Sequence, residues 1–129
     1  MASVFTKIIN GEITSYKVAE NDKFLAFLDV NPNAKGHTLC IPKQEIDQLF
    51  TLDDATYLEL MLFAKTVSKA LYKTISCKRV GMSVIGLEVA HAHIHLIPLN
   101  EMDEMRFINK VKMTANELED LALAIRLNF

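Results

Sequence analysis

The sequence predicts an α+β domain: an antiparallel sheet of about five strands with helices on one side. Three observations carry that prediction. Short strand-like segments recur on both sides of one long segment of helical period. A second, shorter amphipathic segment closes the chain. The 129 residues hold only 4 Gly and 3 Pro, so nothing reads as a linker, and half of them are hydrophobic, enough to bury one core.

Each element follows from local signals. Residues 5–9 read as a short helical turn ended by Asn10-Gly11. Residues 16–20 and 24–29 read as two strands joined at Asn21-Asp22 into a hairpin. Residues 31–36 form a loop, and residues 37–42 a third strand closed by Pro42. Thr51 and Asp54 have capping-box spacing, so the long helix is expected to open there. Tyr57, Leu60, Met61, Ala64, Val67 and Leu71 follow at helical spacing, while Leu58 and Leu62 widen the apolar face enough to meet a second subunit. Residues 78–85 and 89–98 read as strands four and five. Thr114 and Glu117 make a second capping box, followed by Leu118, Leu121, Ala122 and Ile125 on one helix face. One domain over residues 4–100 is expected, with a C-terminal extension, 101–129, packed on it.

Composition narrows the function. Fourteen Lys and Arg against sixteen Asp and Glu give a net charge of −2, which argues against a nucleic-acid polymer as partner. No apolar run approaches the roughly 20 residues that cross a bilayer, so no membrane role is expected. Residues 1–7 lack the basic end and apolar run of an export signal. Cys40 and Cys77 have no C-x-x-C spacing and are read as reduced thiols of a cytoplasmic protein.

The chemistry concentrates in one place. Three of the four histidines fall in His91-Ala92-His93-Ile94-His95. On a strand these imidazoles share one face, and Ala92, Ile94 and Leu96 take the core face. Three imidazoles in a row are not expected to be a satisfied core, because each has two ring nitrogens needing partners. A solvated His-rich face is one reading. A metal site is a second, but same-face neighbours stand about 6–7 Å apart and Glu88 is the only nearby acid. Nucleophilic catalysis is the third: one imidazole attacks while its neighbours hold its tautomer and donate to phosphate oxygens.

The run His91-Ala92-His93-Ile94-His95-Leu96-Ile97 resembles the His-φ-His-φ-His-φ-φ signature of the histidine triad (HIT) family. Residues 5–13, 27–32 and 36–43 are similar to that family's N-terminal and middle segments, and the likeness extends from about Val4 to Pro98. It is strongest toward the Hint-like branch of nucleoside phosphoramidate hydrolases. The resemblance implies a HIT-like fold whose sheets join across a homodimer. It implies a purine nucleotide or nucleotide conjugate as substrate, with no cofactor and no metal. His93 would attack the α-phosphorus, a nucleotidyl-histidine would form, and water would release the nucleoside monophosphate. His91 and His95 would flank the phosphate, with His37 as an additional histidine. Asp29 would take the ribose hydroxyls, and Val4, Phe5, Ile8, Ile13, Phe27 and Val89 would surround the base.

One segment departs from the family pattern. Where the family carries Gly-Gln-x-Val-x before the triad, this chain has Gly86-Leu87-Glu88-Val89-Ala90. Leu87 replaces a side-chain donor to phosphate, and Glu88 brings a carboxylate. Losing one such donor costs about 10²–10³ in rate. The alternative reading is therefore a nucleotide-binding protein with little or no turnover. Strand parity places Leu87 with the histidines and Glu88 with the core, unless Gly86 breaks the register.

Overall fold

The computed structural model describes residues 2–129. Five antiparallel strands form one sheet in the order β1-β2-β3-β5-β4. They are β1 (Lys17–Glu20), β2 (Phe24–Leu28), β3 (Thr38–Pro42), β4 (Arg79–Ser83) and β5 (Ile94–Leu99). The helices are α1 (Val4–Ile9), α2 (Asp54–Thr74) and α3 (Ala115–Arg126).

The hairpin is set locally. Asn21 Oδ1 accepts from the backbone N–H groups of Lys23 and Phe24, which turns β1 into β2. β2 and β3 then pair over Phe24↔Pro42 to Leu28↔Thr38. All five residues of each are buried, so both faces of the sheet centre are covered. On one face Ala26, Leu28, Cys40, Ile94 and Leu96 pack against Leu60, Ala64, Val67 and Leu71 of α2 and Leu118, Leu121, Ala122 and Ile125 of α3. On the other, Leu25, Phe27, Leu39 and Ile41 pack against Phe5 and Ile8 of the short α1. The Thr114–Glu117 capping box is present at the start of α3. Arg126 Nη1 also donates to Lys17 O at 2.6 Å, tying the end of α3 to β1.

Three boundaries differ from the sequence reading by two residues or more, each for an identifiable reason. Thr51 does not cap α2. It lies in a 3₁₀ turn, Leu49–Thr51, its hydroxyl donating to Gln48 O, and Asp53 is the N-cap. β5 begins at Ile94 rather than at residue 89, because Ala92 N–H is used by Ile46 O at 2.7 Å and cannot join the β3 ladder. β4 likewise stops at Ser83, and Gly86 at φ +73° bends the chain away from extended geometry. Leu58 and Leu62 stay exposed, so the extra width of the α2 face is unused within the chain. Both cysteines are free thiols. Among the described residues no helix is long and apolar enough to cross a membrane.

Gly36, at φ +92°, lets the loop after β2 turn into β3 immediately before His37. A Cβ there would collide with Ile75 Cδ1 and lie 3.1 Å from Pro98 Cγ, whereas Gly11 at φ +80° faces open space. Alanine at either position costs about 1–2 kcal/mol in left-handed strain. Only Gly36→Ala adds crowding, so its urea midpoint is expected to fall below that of Gly11→Ala.

Candidate active site

The loop between β2 and β3 is closed by its own backbone. Asp29 N–H donates to His37 O at 2.9 Å, and His37 N–H to Ala34 O at 3.0 Å. Asn31 N–H binds Asp29 Oδ1 at 2.8 Å, so the carboxylate is held at the strand end. His37 points to the face of Leu39, where His95 is paired opposite Leu39 across β3 and β5. Their rings meet, with His37 Nε2 and His95 Nδ1 2.9 Å apart.

The backbone decides the proton positions. Asn33 N–H donates to His37 Nδ1 at 3.0 Å, so that nitrogen is bare and the proton of the neutral ring sits on Nε2. His37 Nε2–H then donates to His95 Nδ1, which leaves the His95 proton on Nε2. His93 Nδ1 lies 2.7 Å from His91 O. A carbonyl only accepts, so His93 carries its proton on Nδ1 and its free lone pair on Nε2. His91 Nε2–H donates to Pro42 O at 2.8 Å, and the Ser3 hydroxyl donates to His91 Nδ1 at 2.8 Å. Ser3 also caps α1, and its N–H and the Thr6 hydroxyl both donate to Glu45 Oε1.

Burial keeps the supporting rings neutral. It pushes His37 down to about 3, helped by the His95 and Lys110 charges, and His95 down to about 4, helped by His93 and Lys110. Burial also lowers His91, against the upward pull of the Pro42 carbonyl and Glu45. Burial raises the Asp29 carboxyl, which the Asn31 N–H, Lys110 and His93 partly offset. Asp29 Oδ2 and His37 Nε2 are 3.6 Å apart, but with His37 neutral this is no ion pair.

A cleft of about 460 Å³ opens over these groups, within the roughly 300–1,000 Å³ typical of small-molecule sites. Phe5, Asp29, Val89, His93 and His95 line it with Leu87, Glu88, Phe107 and Lys110. A depression of about 510 Å³ beside the β1–β2 turn, near the exposed Lys23–Glu59 pair, contains no histidine.

The structure thus divides the residues singled out in the sequence. His91 and His37 are sealed behind the cleft, at 0% and 1% exposure. His91 is a satisfied core histidine, contrary to expectation, because the start of α1 and Pro42 supply both its partners. Ile8 and Phe27 sit in the apolar layer behind Phe5, whose ring is 5.6 Å from that of Phe27. Val4 and Ile13 are exposed and lie off the cleft wall. Leu87 and Glu88 are both exposed on the rim, so the parity that assigned Glu88 to the core does not survive Gly86. Sequence reasoning missed Asn33, Phe107 and Lys110. Their signal lies in contacts between distant segments, for which no local motif exists.

Asp29, His37 and His95 bring ligand atoms within 4.8 Å of one another. The tautomers do not fit a metal there. His37 Nε2 would need its lone pair, which would place the proton on Nδ1 facing the Asn33 N–H, donor against donor.

The HIT domain family matches residues 10–102. The chain belongs to the HIT domain family. An uncharacterized HIT-like protein of Borreliella burgdorferi is 37% identical over 97% of this chain and 96% of its own length. The adenosine 5'-monophosphoramidase HNT1 of Saccharomyces cerevisiae is 39% identical over 75% of this HIT chain and 62% of its own length. The crystal structure of a HIT-like protein from Bartonella henselae, described as involved in cell-cycle regulation, superposes with a TM-score of 0.86. It is 30% identical, covering 98% of this chain and 96% of that one.

The depressed histidines make the stability of this HIT domain pH-dependent. His37 and His95 lie below their ordinary 6.5 in the folded state, so unfolding takes up protons between 6.5 and about 3. Their contribution is complete above 6.5 and is lost as pH falls through that window. The urea midpoint is expected to stay level above about pH 7 and fall below it, with a shallower fall in His37→Gln.

Proposed function

We propose that this protein is a metal-independent nucleotide hydrolase or transferase. It cleaves nucleoside phosphoramidates or related nucleotide conjugates at the α-phosphate. One observation carries the reading: the 2.7 Å contact from His93 Nδ1 to His91 O leaves the Nε2 lone pair of His93 on the cleft side. The adenosine 5'-monophosphoramidase activity in the name of the yeast relative supports the substrate class.

The reaction has two displacements. His93 Nε2 attacks the α-phosphorus, a P–N bond to the imidazole forms, and the bond to the leaving amine breaks as the amine takes a proton from water. The His91 carbonyl stabilises the charge that develops on the His93 ring through Nδ1–H. His95 Nε2–H donates to a phosphate oxygen. Water then attacks the nucleotidyl-histidine, a P–O bond forms, the P–N bond breaks, and the nucleoside monophosphate leaves. Asp29, at the strand end and 22% exposed, accepts the ribose hydroxyls of a purine nucleotide, whose base lies toward Phe5 and Val89.

The protein is proposed to act as a homodimer in a reducing, cytoplasmic compartment. β4 is an edge strand of the sheet, and Met82 on it and Leu58 and Leu62 on α2 are exposed. A second reading rests on Leu87, 89% exposed on the rim, and on the neighbouring Glu88. With no donor at Leu87 and a carboxylate beside it, the site would hold a nucleotide without turning it over.

Intact mass after mixing with an adenosine phosphoramidate and quenching in mild base separates the two. The first reading predicts an adenylyl adduct and AMP release, both absent in His93→Ala and both unaffected by a chelator. AMP binding with neither adduct nor release would establish the second.

A further inference from the structure

The C-terminal extension brings a cation to the cleft. After the 3₁₀ turn Met102–Met105, Phe107 adopts φ +60°, a left-handed conformation unusual for a non-glycine residue. That bend lays its ring against His95, with centroids 4.8 Å apart, and against His37 at 5.8 Å. Lys110 follows, its ammonium 5.1 Å from the Phe107 centroid and 2.7 Å from Asn33 Oδ1. Val111 N–H donates to Pro32 O at 2.9 Å, so the segment is held on the β2–β3 loop from both sides.

The charges lining the cleft are unequal. Asp29 and Glu88 bring carboxylates, and among the described residues Lys110 is the one Lys or Arg on the wall. Leu87 offers no donor. Lys110 commits one of its three N–H donors to Asn33 and has no carboxylate within 4.0 Å among the described residues.

We propose that Lys110 Nζ, supplied by the chain's own C-terminal segment and steered by Phe107 and Asn33, binds the α-phosphate of the nucleotide beside His93 and His95. The inference rests on the nucleotide reading and deepens it: the substrate is an anionic nucleoside phosphate whose charge is met in cis. His95, neutral near pH 7, contributes a hydrogen bond, and Lys110 contributes the charge. Lys110 would stand in for the phosphate donor absent at Leu87.

AMP, adenosine and inorganic phosphate, titrated by calorimetry into the wild type, Lys110→Met and Lys110→Arg, test this. A charge-assisted contact predicts that Lys110→Met weakens AMP about tenfold or more. Adenosine affinity should stay unchanged, and Lys110→Arg should restore most of the loss. The preference for AMP over adenosine should also fall with added salt in the wild type and lose that dependence in Lys110→Met. Equal losses for AMP and adenosine would make Lys110 only a latch on Asn33 and overturn the proposal. So would an unchanged AMP affinity in Lys110→Met, and in either case AMP binding by the wild type leaves the nucleotide reading standing. A wild type that binds phosphate through Lys110 but neither AMP nor adenosine would sink the nucleotide reading and keep the phosphate site. Binding of none of the three would overturn both.

Discussion

Two backbone groups govern this site: the His91 carbonyl that accepts from His93 Nδ1–H, and the Asn33 N–H that donates to His37 Nδ1. Neither group titrates in the range where imidazoles do, so each imposes a fixed proton position on its partner. From these two constraints the other assignments follow without choice. His93 presents a lone pair, His37 donates its Nε2–H to His95 Nδ1, and His95 presents an N–H. A bare ring nitrogen and an N–H donor therefore stand side by side, their rings 4.9 Å apart, although both belong to imidazoles of similar intrinsic acidity.

The fold exists around that requirement. A buried central sheet gives β3 and β5 a rigid register, which brings His37 and His95 together from positions 58 residues apart. Just before β5 the chain leaves the ladder. Ala92 N–H turns to Ile46, and the freed geometry lets the His91 carbonyl face the next imidazole, that of His93. A regular strand would have spent that carbonyl on a neighbour. The short α1 then closes the back of the site: Ser3 begins the helix and satisfies His91, and Phe5 sets its ring 5.0 Å from His93.

How much of this was legible in the sequence depended on the range of the interaction. The Asn21 turn and the Thr114–Glu117 box are decided within four residues and read correctly. At the start of α2 the sequence pointed to Thr51, but a 3₁₀ turn takes up that residue and Asp53 caps the helix instead. Period-two alternation grouped the three histidines but hid their division of labour, because His91 and His93 are not on a strand and their hydrogen bonds run to Pro42 O and to His91 O. Lys110 carried no signal at all. Its partner Asn33 is 77 residues away, and only the completed fold puts them together.

The central claim is an assignment of four protons, and the side-chain nitrogens report it directly. In ¹⁵N-labelled protein near neutral pH, two-dimensional ¹H–¹⁵N correlation of the imidazoles, assigned by single His→Gln variants, distinguishes the tautomers. The account predicts Nδ1–H for His93 and Nε2–H for His37, His91 and His95. His93 found with its proton on Nε2 would contradict it, because the lone pair would then be spent on the His91 side and no nucleophile would face the cleft.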